Sequence, residues 1–155
     1  MQLRQINIQK SVVIDAGMEK IFTNIVMLEK FPAWSPFYEA DPSQTIELKG
    51  VDGQVGAQYH WVGNNGDDLG YQEITKIKPL SYIKMECTIT KPFEANPIFE
   101  YSFSKLNANQ TKVVQNFELN SGIVDAFFMW LFGAKGDMEQ MNARGMSLLK
   151  KACEK

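Results

Sequence analysis

The chain has 155 residues, enough for one domain around a single sizeable core. Its 45% hydrophobic and 22% charged content is that of a soluble globular protein, and a net charge of −2 with a pI near 5.5 offers nucleic acid no basic footprint. No apolar run reaches the roughly 20 residues of a membrane span, and the N-terminal stretch Met1 to Lys10 lacks the apolar core of a signal peptide. A cytoplasmic protein without integral membrane association is therefore expected.

Ile6, Ile8, Lys10, Val12 and Ile14 alternate with Asn7, Gln9 and Ser11, which predicts a first strand. Asp15 is placed to cap a short helix carrying Met18, Ile21, Phe22 and Ile25, which ends before Pro32. Phe31-Pro32-Ala33-Trp34-Ser35-Pro36-Phe37 is too proline-rich for a regular element and too aromatic for an idle loop, so it must pack on something. From Ser43 to Leu119 turn-forming clusters recur at short, regular spacing. Between them the pattern predicts six strands, 43–50, 56–62, 69–78, 81–90, 98–106 and 111–119, as an antiparallel meander rather than βαβ crossovers.

Alternation assigns the faces. Ile83, Met85, Cys87 and Ile89 share one face, as do Phe99, Tyr101 and Phe103 on the next strand and Val113, Gln115, Phe117 and Leu119 on the last. Tyr59 and Trp61 share a face with His60 opposite. On the fourth strand either Glu73 points inward with Leu69, Tyr71, Thr75 and Ile77, or the register differs by one and Ile74 is inside.

The C-terminal stretch Asp137 to Cys153 has the period of an amphipathic helix, with Met138, Met141, Gly145, Leu148, Leu149 and Ala152 on one arc. Gly145 sits mid-helix on that arc at a cost of about 1 kcal/mol relative to alanine, which predicts a close approach by a strand, a ring or a ligand. The whole is an α+β domain spanning 1–155: a curved seven-stranded antiparallel sheet, short helical segments after the first strand, and one long C-terminal helix. A helix about 10–12 Å across cannot fill a twisted sheet of that size. Either large side chains occupy the remaining space or a cavity stays open.

The element order resembles the helix-grip fold of the START-like (SRPBCC) superfamily. Trp34-Ser35-Pro36, Asp41-Pro42, the run Gly56 to Gly63, Gly70, Ile74, Pro79, Ile83, Lys91-Pro92-Phe93, Thr111-Lys112-Val113, Gly145 and Leu148-Leu149-Lys150 are similar to the polyketide cyclase/dehydrase and lipid-transport branch. The resemblance implies a cavity between sheet and C-terminal helix that takes a hydrophobic or amphipathic small molecule without a cofactor. Two positions depart from the pattern: Gln115 and Phe31 stand where tryptophan is frequent.

On this reading Trp34, Tyr59, Trp61, Met85, Phe99, Tyr101, Gln115 and Phe117 line the site from the sheet side, with Met138, Met141 and Gly145 facing them. Tyr59, Tyr101 and Gln115 are its polar handles, or else satisfy one another in a filled core. Ile123 to Phe132, apolar all round and bounded by glycines, is a lid closing the site through Phe128 and Trp130, a core segment, or a homodimer contact. Tyr59, Tyr101 and Glu73 are the candidate catalytic groups of the alternative, a cyclase or dehydrase enzyme. A third reading is a protein-interaction module like the chaperone-ATPase activators of this fold. The lone histidine, His60, is expected as an exposed strand residue. The sequence has no metal-ligand spacing, phosphate loop or nucleophile elbow, and Cys87 and Cys153 are expected to be reduced thiols.

Overall fold

The computed structural model describes residues 5–40, 42–43, 45–62, 68–90, 96–120 and 138–155, with the backbone alone at 5, 6, 37, 40, 120, 138 and 139. Seven strands form one antiparallel sheet: β1 (Gln5–Ile14), β2 (Thr45–Lys49), β3 (Gln58–Val62), β4 (Asp68–Lys78), β5 (Tyr82–Ile89), β6 (Ile98–Asn107) and β7 (Gln110–Asn120). Their order is β1-β7-β6-β5-β4-β3-β2, so β2 to β7 run as a meander and β1 closes on β7. Three helical pieces follow β1: α1 (Met18–Val26), a 3₁₀ helix (Leu28–Ala33) and α2 (Pro36–Ala40). The chain ends in α3 (Met138–Cys153).

The apolar alternation becomes the concave face of the sheet. Ile83, Met85, Tyr101, Val113 and Phe117 are buried there, joined by Ile14 of β1 and Tyr59 of β3. α3 lies across β1 and touches α1, α2 and the 3₁₀ helix. Its buried residues are Met141, Asn142, Gly145, Met146, Leu149 and Cys153, while Leu148 and Ala152 are only half-buried. The inward arc is thus rotated toward Asn142 and Met146. The cause is a helix gripped from two sides, by β1 and by the α1–α2 segment.

The proline-rich stretch after α1 packs as its composition requires. Asp52, from the β2–β3 turn, accepts from the free N–H groups of Leu28 at 2.7 Å and Glu29 at 3.1 Å, which fixes the start of the 3₁₀ helix against the sheet. Trp34 donates its indole N–H to the Asn24 carbonyl at 3.0 Å. Ser35 accepts from the Tyr38 N–H at 3.2 Å and so caps α2, with Pro36 at the first helical position. Asp15 caps nothing. Gly17 precedes α1, and the Asp15 carboxylate accepts from Gln110 instead.

The register of β4 settles the alternative left open there. Gln72 and Ile74 are inside and Glu73 is not. A bulge between Ile74 and Lys76 then moves the inward set by one residue, so that Ile77 also packs on the core. This is why two incompatible patterns coexist in one strand. Among the described residues no helix is long and apolar enough to cross a membrane, and both cysteines are buried free thiols.

Candidate ligand pocket

A row of aromatic rings fills the concave face under the short helices. Phe31 stands edge-on to Trp34 at 4.7 Å and to Tyr59 at 5.1 Å between ring centroids, and Trp34 meets Tyr101 at 5.8 Å. Tyr59 continues the row to Trp61 at 6.1 Å. Such pairs add about 0.5–1.5 kcal/mol each beyond the area they bury. They pack the 3₁₀ helix and Trp34 onto the sheet.

Between this row and α3 a cavity remains. Its apolar wall is formed by Phe31, Trp34, Pro36, Phe99, Met141 and Gly145, and its polar groups come from Gln72, Tyr101, Gln115 and Asn142. The room available to the centre of a water molecule is about 20 Å³. One water needs about 10–15 Å³ on this scale, so the space is that of a water or of one small polar group. Among the described residues no charged side chain lines the cavity.

The polar groups are unevenly satisfied. Gln115 donates from Nε2 to the Tyr101 hydroxyl at 3.0 Å, but its Oε1 is buried without a partner among the described residues. Gln72 is buried too, and its carboxamide meets sulfur on both sides, Met85 Sδ on one and Cys87 Sγ at 3.8 Å on the other. Sulfur is a weak partner for an amide. The Tyr59 hydroxyl also has no described partner. Burial holds the phenols of Tyr59 and Tyr101 well above their ordinary value; the nearby Tyr38 adds to the effect at Tyr59, and the Gln115 hydrogen bond partly opposes it at Tyr101. Both remain donors, not bases, at neutral pH.

Of the residues expected from the sequence, Trp34, Phe99, Tyr101, Gln115, Met141 and Gly145 line the cavity. Tyr59, Met85 and Phe117 are fully buried beside it, and Trp61 is half-buried farther along β3. Phe128, Trp130 and the rest of 121–137, with the Met138 side chain, lie outside the described residues. Phe31, Pro36, Gln72 and Asn142 also line the cavity. Phe31 was visible as a departure in an aromatic segment, and Gln72 followed from the register that places Ile74 inside. Asn142 gave no signal, since a polar residue beside Met141 reads as a helix edge.

Two expectations are corrected. Glu73 is not an inward acid: it lies on the outer face and accepts from Gln58 Nε2 at 2.7 Å. His60 is on the outer face as expected, yet it is not exposed. Its ring is stacked on Tyr71 at 4.9 Å, with Nδ1 2.8 Å from the Asp68 carboxylate and Nε2 2.8 Å from Gln58 Oε1. Both nitrogens are engaged and the side chain is 5% exposed, so it anchors β3 to β4 on the face away from the cavity. Among the described residues no group of three or more acidic, histidine or cysteine side chains is placed to hold a metal ion.

No known family profile matches the sequence, and no curated protein matches it. Solved structures do. Norcoclaurine synthase from Thalictrum flavum, determined in complex with dopamine and hydroxybenzaldehyde, superposes with a TM-score of 0.65 at 11% identity over 97% of this chain and 87% of its own. An uncharacterised protein from Rhizobium leguminosarum gives 0.65 at 11% identity, covering 99% of this chain and 97% of its own. The Aha1 dimer from Colwellia psychrerythraea gives 0.58 at 17% identity, with 96% of each chain covered. The seven-stranded sheet, the helix it grips and these likenesses over nearly the full length agree: the chain has a helix-grip fold.

Proposed function

We propose that the protein binds a hydrophobic or amphipathic small molecule between α3 and the concave face of the sheet. One observation carries the reading: an aromatic wall encloses a space into which buried amide and hydroxyl groups converge, one of them an acceptor with no partner among the described residues. Small-molecule sites have this make-up, mainly apolar with a few placed polar groups. A filled core would normally satisfy those groups internally.

A drug-sized ligand needs about 300–1,000 Å³, so occupancy enlarges the cavity. The seam that can open is between α2 and α3. There Pro36 rests on Gly145, and the two helices are tied by the exposed pair of Arg144 with Glu39, at 2.8 and 2.6 Å. The cyclase or dehydrase alternative is weakened by the loss of Glu73 from the interior, because the described lining residues offer no carboxylate or imidazole to act as a base.

Native mass spectrometry of freshly purified protein, with extraction and identification of any bound compound, tests the proposal. A co-purifying apolar molecule displaced by Gly145→Leu is expected. A protein that is always empty, and takes up no apolar probe, would sink it.

A further inference from the structure

We infer that the ligand carries an uncharged hydroxyl group, held jointly by Gln115 and Tyr101. This rests on the binding reading above and adds the chemistry of the ligand's polar end. Gln115 and Tyr101 face each other across β7 and β6 as register partners, and both are buried. Gln115 has given one amide proton to the Tyr101 oxygen, and its own Oε1 is an acceptor that no donor among the described residues meets. The Tyr101 hydroxyl, having accepted, still has its proton to give.

A donor and an acceptor are thus offered side by side at the wall of one cavity, and the space beside them suits one oxygen atom. A hydroxyl oxygen matches both, donating to Gln115 Oε1 and accepting from Tyr101. A carboxylate accepts only, so it would set a negative charge against the Gln115 carbonyl oxygen. An ammonium donates only, and would leave the Tyr101 proton without an acceptor. Charge is excluded for a second reason. Among the described residues no ionised group lines the cavity, and an unpaired ion in an apolar site is strongly disfavoured. Lys10, the register partner of Gln115 on β1, shares its face but is not among the lining residues.

Three probes of one shape separate the readings: naphthalene, naphthol and naphthoate, titrated calorimetrically into the full chain at neutral pH. Naphthol is expected to bind about tenfold or more tighter than either of the others, the scale of a satisfied buried pair. In Gln115→Leu and, separately, in Tyr101→Phe, naphthol should fall to the level of naphthalene. The second substitution removes a single oxygen, so it keeps the test valid if the first misfolds. Equal affinity for naphthol and naphthalene overturns the inference, and so does a preference for naphthol that survives both substitutions. Tightest binding of naphthoate also overturns it, and would indicate that the Gln115 amide presents its nitrogen. In each of those cases the binding reading stands. Failure of all three probes to bind removes both, leaving the space to a buried water.

Discussion

Gly145 of α3 lies against Pro36 of α2: a Cβ built on the glycine would sit 3.5 Å from Pro36 Cδ and 3.7 Å from Cγ. The close approach expected at this glycine is therefore made by the segment that covers the cavity, not by a sheet aromatic. Those distances are ordinary van der Waals contact, so one methyl group fits. Gly145→Ala should raise stability by about 0.5–1 kcal/mol through helix propensity, read as a higher urea midpoint at unchanged slope. Gly145→Leu has no such room. It should lower the midpoint and block uptake of apolar probes; binding intact alongside raised stability would show that the glycine is merely tolerated.

The Glu39–Arg144 pair joins the same two helices in solvent. Its charges hold the Glu39 carboxyl below the usual carboxylate range, chiefly through the Arg144 hydrogen bond. Exposed pairs contribute little to stability and are screened by salt. Glu39→Gln should leave the melting temperature nearly unchanged while speeding both uptake and release of a bound probe, and added salt should do the same to the natural chain. Stopped-flow traces identical for variant and parent would mean that α2 does not gate the cavity.

Stability should fall steeply in alkali. Burial, the leading cause in each case, raises Tyr59 and Tyr101 far above the ordinary 10.0, and moves the Cys153 thiol from 9.0 to about 11. These groups stay protonated in the folded chain and ionise sooner in the unfolded one. Their contribution is complete below pH 9 and is lost as pH climbs past the unfolded values toward the folded ones. Each fully affected group removes up to about 1.4 kcal/mol per pH unit. Urea midpoints taken between neutral pH and pH 11 should show the decline, and Tyr101→Phe should make it shallower.

His60 gives a control on the opposite face. Its two hydrogen bonds and its stacking on Tyr71 are lost in His60→Ala, which should cost about 2–3 kcal/mol. The pocket is untouched. Probe affinity, measured where the variant is still folded, should therefore match the parent. A selective loss of binding or turnover with stability intact would contradict this assignment.

Much of the fold was written in local alternation. Period two over 81–90, 98–106 and 111–119 located β5, β6 and β7 and their inward faces, because a strand half-buried against a core must separate apolar from polar positions. The 3.6-residue period did the same for α3, though only to within a rotation. Tertiary structure alone decided three matters. The bulge after Ile74 chose between Glu73 and Ile74, since a one-residue slip moves every side chain to the other face. The grip from β1 and the α1–α2 segment turned Asn142 inward, which no pattern within one helix specifies. Gln115 and Tyr101 were each visible as a polar residue in an apolar row. That they bond to each other, leaving one acceptor and one donor toward a common space, depends on strand pairing 14 residues apart in sequence and on what α3 leaves unfilled.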